Sequence, residues 1–251
     1  MKKYITAVFL SLSLLMLASC NNESVVLKES KTYEITSDIK SIDVQIDAAE
    51  FIIEQADKFS VESNLKNLTV TEKDGVLSVV EENVFSSNYK DAKLKLSIPK
   101  NAVLEDVDIE TGAANLTAPS LTADSLELKL GAGKVQFGNL TANSNADIKG
   151  GAGDITIING NLKNLTLELG VGSFDLTAAL LGNSELNFGV GESNLTILGS
   201  KSDYKLDIEK GIGSISIDEE AVSKSGNDGN GQNSIKITGG VGETNVFFKE
   251  K

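Results

Sequence analysis

The chain has 251 residues, a formal charge of −13, and neither histidine nor arginine. Such acidity argues against nucleic acid, which selects a basic footprint, and against docking on anionic lipid headgroups. Without histidine, the commonest general base, the Ser-His arrangements and the usual imidazole metal ligand are all missing.

The N-terminus pairs Lys2-Lys3 with a short apolar run reaching Leu17. This is the pattern of a secretory signal, 1–19, too short to span comfortably as a membrane helix. It ends Leu17-Ala18-Ser19-Cys20, which resembles the lipobox of bacterial lipoproteins. The resemblance implies cleavage before Cys20, lipidation (palmitate) of its sulfur, and an extracytoplasmic, membrane-anchored address in the cell envelope. Two or more acyl chains hold a protein firmly where one does not. An ordinary signal beside a lone thiol is the alternative. Cys20 is the only cysteine, so no intrachain disulfide can form, and loss of Lys2 and Lys3 takes the charge to −15. Residues 20–32 are polar and predict a flexible tether ahead of a single domain, 33–251.

From Tyr33 apolar and polar residues alternate, the signature of half-buried strands. Ile42, Val44, Phe51 and Ile53 flank Asp47 in the phase of the repeats described below, so 42–53 is a degenerate first rung. Between Val61 and Ile98 the period breaks. Leu68-Thr69-Val70 and Val76-Leu77-Ser78-Val79 flank Asp74-Gly75, a strong hairpin turn. Leu94 to Ile98 is a third strand, stopped by Pro99. Residues 33–102 therefore predict a first rung plus strands that cap the open end of a stack, where unpaired backbone invites aggregation.

Regular repeats fill 103–251. A Gly-small-Gly bend occurs at Gly131, Gly151, Gly170, Gly189, Gly211 and Gly240, with a weakened copy at Gly112; the steps are 19, 20, 19, 19, 22 and 29 residues. Three residues before each first glycine stand Ile109, Leu128, Ile148, Leu167, Leu186, Ile208 and Ile237, all branched aliphatics. No copy can bury its apolar side alone, so the copies must stack. The prediction is all-β: a single-stranded parallel β-solenoid (β-helix-like) with about 19–20 residues per rung, preceded by irregular N-terminal strands including the hairpin. A sandwich of hairpins is the alternative architecture. The 29-residue step reflects an insertion, 219–233, whose Gly, Asn, Ser and acidic residues predict a solvated loop.

The run Leu94 to Pro99, the segment Val107-Asp108-Ile109-Glu110-Thr111-Gly112-Ala113 and the repeated Gly-Ala-Gly bends resemble a bacterial β-strand-repeat family. Its members are lipoproteins described as candidate adhesins or toastrack domains, some accompanying envelope-stress signalling systems. The similarity covers about Ile35 to the C-terminus. It implies the repeat fold and supplies no catalytic residues and no cofactor.

Candidate sites lie on the outward columns. Four residues before successive glycines stand Asp108, Glu127 and Asp147, carboxylates that stacking would place one strand spacing apart. Like charges directly opposite destabilise, so Lys129 and Lys149, two residues on, are expected to form diagonal salt bridges on a solvated face. A divalent cation held by the three acids is the sharper alternative, since Ca²⁺ takes several carboxylate oxygens. Gly150 to Asp154 matches a calcium nonapeptide only once and in the wrong period. The bends are not phosphate loops, for no Gly-Lys-Ser/Thr follows. Asn-Leu-Thr recurs at Asn67, Asn115, Asn139, Asn164 and Asn194, in different phases, so these five do not make one ladder. Asp124-Ser125-Leu126 weakly resembles an O-glycosylation motif.

These features point to a non-catalytic binding or scaffolding module of the envelope, one that feeds a stress response in its more specific form. Its partners would be the membrane, through Cys20, and an envelope protein or extracellular glycan. An adhesin-like module on glycan or a host surface is the alternative, and a carbohydrate-cleaving enzyme built on paired carboxylates is the third reading.

Overall fold

The computed structural model describes residues 25–82 and 89–250; the expected signal segment, Cys20 and the start of the expected tether lie outside them. Sixteen strands of the described residues join one sheet, with a single 3-10 turn at Lys201–Asp203. The N-terminal end comprises β1 (Val26–Glu34), β2 (Ser41–Ile46), β3 (Glu50–Ala56), β4 (Ser60–Leu65), β5 (Leu68–Lys73), β6 (Val76–Glu81) and β7 (Lys93–Pro99). The regular coils are β8 (Leu104–Lys163), β9 (Leu165–Leu181) and β10 (Asn183–Leu198), long because strand character continues around the bends. The C-terminal end comprises β11 (Tyr204–Glu209), β12 (Ser214–Ile217), β13 (Glu220–Ala221), β14 (Gly226–Asp228), β15 (Asn233–Thr238) and β16 (Val241–Lys249).

The protein is a parallel β-solenoid. Ile148 pairs with Leu167, Leu167 with Leu186, Leu186 with Ile237, and Ile237 with Ile208. All five are buried in a single hydrophobic core that runs the length of the stack. Alternation makes this possible: every second side chain of a coil enters the core, and the next coil presents the same chemistry one strand spacing away. The degenerate rung takes its place too, with Ile42, Val44 and Phe51 paired to Val107, Ile109 and Leu116.

The glycine bends have a steric cause beyond turning. At Gly172 the backbone has φ +145°, and an added Cβ would overlap the carbonyl oxygen of Gly153 in the coil below. The corners of neighbouring coils sit too close for any side chain at that position.

At both ends the coils depart from sequence order. Stacking in order would place β11–β12 directly on β10. Instead β15 and β16 pair in parallel with β10 on one side and with β11 and β12 on the other. The last coil of the chain is thus inserted between the two preceding it. The N-terminal end mirrors this: β2 and β3 lie between β8 and an outer coil made of β6 and β7. Leu94 to Ile98, expected as a capping strand, therefore belongs to a true coil. All copies share one phase, so phase alone does not choose which copies become neighbours.

Antiparallel strands close both ends. β5 pairs with β6, and β4 with β7, while β1 pairs with β4. At the far end β13 pairs with β12, and β14 with β11. Two expectations are corrected here. The insertion 219–233 is exposed, yet it carries β13 and β14 and covers the open edge of the outer coil. Most of the expected tether 20–32 is strand β1, whose side chains are largely exposed. Backbone pairing holds it, and the core contacts of Val26 and Tyr33 at its two ends are too few to show as an alternation in its sequence.

Candidate functional site

The outward columns form the surface most open to a partner. The acidic column runs Ser78, Asp43, Asp108, then through Glu127 to Asp147, Thr166, Glu185, Lys236 and Asp207. Lys129 Nζ lies 2.7 Å from Glu127 Oε1, and Lys149 Nζ 3.4 Å from Asp147 Oδ2, so both lysines form salt bridges, each along its own strand rather than diagonally. Burial pushes Asp108 above the usual carboxylate range, and the nearby acids Glu127, Asp43 and Glu110 add to it against the opposing pull of Lys129. Asp147 Oδ1 is buried without a hydrogen-bond partner. Among the described residues no group of three His, Cys, Asp or Glu side chains is placed to hold a metal ion, so Asp108, Glu127 and Asp147 do not converge as a cation site. Interleaving matters in this column. It puts Lys236 between Glu185 and Asp207, which in-order stacking would have set side by side as like charges.

Hydrogen-bonded amide ladders run along other outward columns, the first of them beyond the glycine bends. Ser216 Oγ donates to Asn245 Oδ1 (2.7 Å), Asn245 Nδ2 to Asn194 Oδ1 (3.2 Å), and Asn194 Nδ2 to Asp175 Oδ1 (3.1 Å). At another corner Asn145 Nδ2 donates to Ser125 Oγ, Asn164 Nδ2 to the Ser144 carbonyl, and the Asn183 amide to Asn164 Oδ1. Asn139 accepts from Asn159 at 2.8 Å, and Asn115 from the Lys134 amide at 3.3 Å. Four of the five sequon asparagines are therefore ladder members, in separate ladders; their partners Asn159, Asn183 and Asn245 carry no sequon and give no such signal in the sequence. Asp154, in the calcium-like stretch, accepts from Ser173 Oγ (2.7 Å), which with Lys134 holds its carboxyl below the usual range.

A second feature escaped the sequence reading. The middle residues of the bends stack as an exposed ridge: Ala152, Val171, Val190 and Val241 are register neighbours. Ile212 continues it at 88% exposure. The signal was the change of that residue from Ala in the first bends to Val or Ile in the last four. At the N-terminal end Tyr89 donates to Asp47 Oδ2 (2.9 Å), and Glu81 accepts from the Asp47 amide (2.9 Å). Burial raises both Tyr89 and Glu81 above their ordinary ranges. This corner ties the degenerate bend at Asp47 to the outer coil.

The stacked glycine bends and phased aliphatic columns settle the kinship, for the sequence profile of Toastrack DUF4097 matches residues 15–246. The chain belongs to the Toastrack DUF4097 family. Solved structures similar to this toastrack protein include a candidate cell adhesion protein from Clostridium sporogenes, at 14% identity over 88% of this chain and 99% of that one, with a TM-score of 0.41. A candidate adhesin from Parabacteroides distasonis shows 14% identity over 90% and 98% of the two chains, TM-score 0.45. A candidate lipid binding protein from the same organism shows 15% identity over 88% and 98%, TM-score 0.42. No curated protein matches this toastrack chain.

Proposed function

We propose that this toastrack protein is a lipid-anchored, extracytoplasmic and non-catalytic binding module that holds a rigid acidic face toward a partner protein of the envelope, including one of a stress-sensing system. The observation that carries this reading is the register of the outward columns. Parallel pairing on both sides fixes the backbone of each outward position, and two residues from the acidic column the hydrogen bonds of Asn145, Asn164 and Asn183 tie neighbouring coils together laterally. A surface built this way offers many regularly spaced polar contacts along an extended partner and loses little side-chain entropy on binding. The lipobox ending at Cys20 supports the anchor, and the acidic column supports a basic or amide-rich partner surface.

The test is a photo-crosslinking residue placed at Thr166, within the acidic column, in living cells. The expected products are envelope proteins, lost when Cys20→Ala releases the chain from the membrane. Products that are only external glycan or host surface would replace this reading with the adhesin one. Cleavage of a glycan by the purified protein would replace both.

A further inference from the structure

The seam between β10 and the inserted coil β15–β16 is unlike the other seams of the solenoid. Its backbone pairing is complete, with Asn183 to Asn187 matched to Ser234 to Thr238, and Val190 to Leu198 matched to Val241 to Lys249. Its side chains fit less well. Ser184 lies buried against Ile235, and its hydroxyl has no hydrogen-bond partner. Ser193 and Thr244 face each other from the two coils, both about 5% exposed, where the middle of the stack places larger aliphatic or aromatic side chains; both line a cavity of about 20 Å³ under the glycine bends, which has a counterpart of the same size under Gly131, Gly151 and Gly170. That volume is room for about one water. On the outside of the same seam, Glu192 stands directly opposite Glu243, a repulsive cross-strand pair.

The inserted coil is joined to the stack by a long, largely exposed connector. Besides the two pairs of β13 and the three pairs of β14, residues 218–232 are held by hydrogen bonds from the Val222 amide to the Ile215 carbonyl, from the Gly231 amide to the Tyr204 carbonyl and from Lys210 to Ser225 and Val222, and by the Lys201–Asp228 salt bridge, contacts that exchange must break and remake. Extended, about 15 residues reach roughly 50 Å, enough to carry the coil clear of its own slot and into a neighbour's.

We propose that the slot between β10 and the outer coil β11–β12 accepts residues 233–249 of a second copy of this chain as well as its own, joining two molecules by reciprocal exchange of the last coil. The occupant follows from the slot itself. It must pair in parallel on both faces, put aliphatics at Ile235, Ile237 and Val246, present glycine at Gly240 and Gly242 where the corners touch, and supply Lys236 between Glu185 and Asp207. Residues 233–249 meet all of these conditions, and a second copy brings the same segment. Every contact of the slot is remade after exchange, so the balance between closed monomer and exchanged pair is set by connector closure and protein concentration.

The test uses the full chain with Cys20→Ser, which removes the one competing thiol. Asn194→Cys and Asn245→Cys stand on register partners, a spacing a disulfide spans. Placed together in one chain, they close an internal disulfide; failure to do so would remove the slot placement and the proposal with it. Placed singly in two differently tagged copies, mixed at high concentration and oxidised, they yield a disulfide between copies. The control pair, Asp175→Cys with Asn245→Cys, has its positions on non-adjacent coils. Exchange predicts a several-fold excess of mixed dimer from the matched pair, rising with concentration. Equal yields from matched and control pairs, or no mixed dimer beside an internal disulfide that forms readily, would overturn it.

Discussion

The middle of the stack, Leu104 to Leu181, and its C-terminal end, Asn183 to Lys249, are made from one repeat and filled differently. In the middle, the inward column four residues past the bend runs Leu116, Val135, Ile155, Phe174, all 5% exposed or less. At the end the same column continues with Ser193 and Thr244 before Ile215 closes it. The column five residues before the bend changes in the same place, from Leu165 to Ser184. In the middle each coil follows its predecessor in sequence and in space; at the end the two orders part. A repeat thus supplies backbone pairing everywhere, while side-chain volume decides how firmly each seam is closed.

The largest expected effect tests what both regions share. Gly172→Val places a branched side chain at a left-handed position against the Gly153 carbonyl, and should cost more than about 3 kcal/mol; the strand signal in far-ultraviolet circular dichroism should fall at temperatures where the parent is folded. Next comes a matched pair across the two regions. Leu167→Ala in the packed middle should lose about 2–5 kcal/mol in denaturant unfolding. Ser184→Ala at the seam should lose nothing, and gain about 1 kcal/mol by removing a buried hydroxyl without a partner. Similar losses at the two positions would erase the distinction drawn here.

Two smaller effects sharpen it electrostatically. Asp108→Asn in the middle removes a carboxylate whose pKa burial and neighbouring acids raise in the folded state. Its ionised form therefore opposes folding at pH above the raised value, and the penalty fades as pH falls toward the ordinary carboxylate range. The variant should melt higher than the parent at neutral pH and equal to it in acid. Glu243→Gln at the seam should raise the melting temperature least, by the equivalent of a few tenths of a kcal/mol, with a gain that shrinks in high salt.

Strands, bends and core columns were legible in the sequence because they are local and repeat. Ile109, Leu128, Ile148 and Leu167 announce themselves by spacing alone. The acid–lysine pairs were legible for the same reason, since Glu127 and Lys129 are two residues apart on one strand. The order of the coils was not legible, because copies in the same phase are interchangeable as neighbours. One clue was present: Lys236 is the only base in a column where Glu185 and Asp207 would otherwise meet. The amide ladders were hidden because their members sit 19, 20, 29 or 51 residues apart, and the 51-residue step appears only after interleaving. Strand β1 was hidden because an edge held by backbone needs no pattern in its side chains.

Since the final coil lies inside the stack, synthesis and construction run out of step. A chain emerging from a ribosome or a secretion channel presents Tyr204 to Ile217 well before Asn233 to Lys249, and the earlier segment must wait, or rest provisionally on β10, until the last residues are free. Loss of residues 233–249 would leave a vacancy between two finished layers, where losing the tip of an ordinary repeat array only shortens it. Damage to that segment should therefore be felt well inside the molecule.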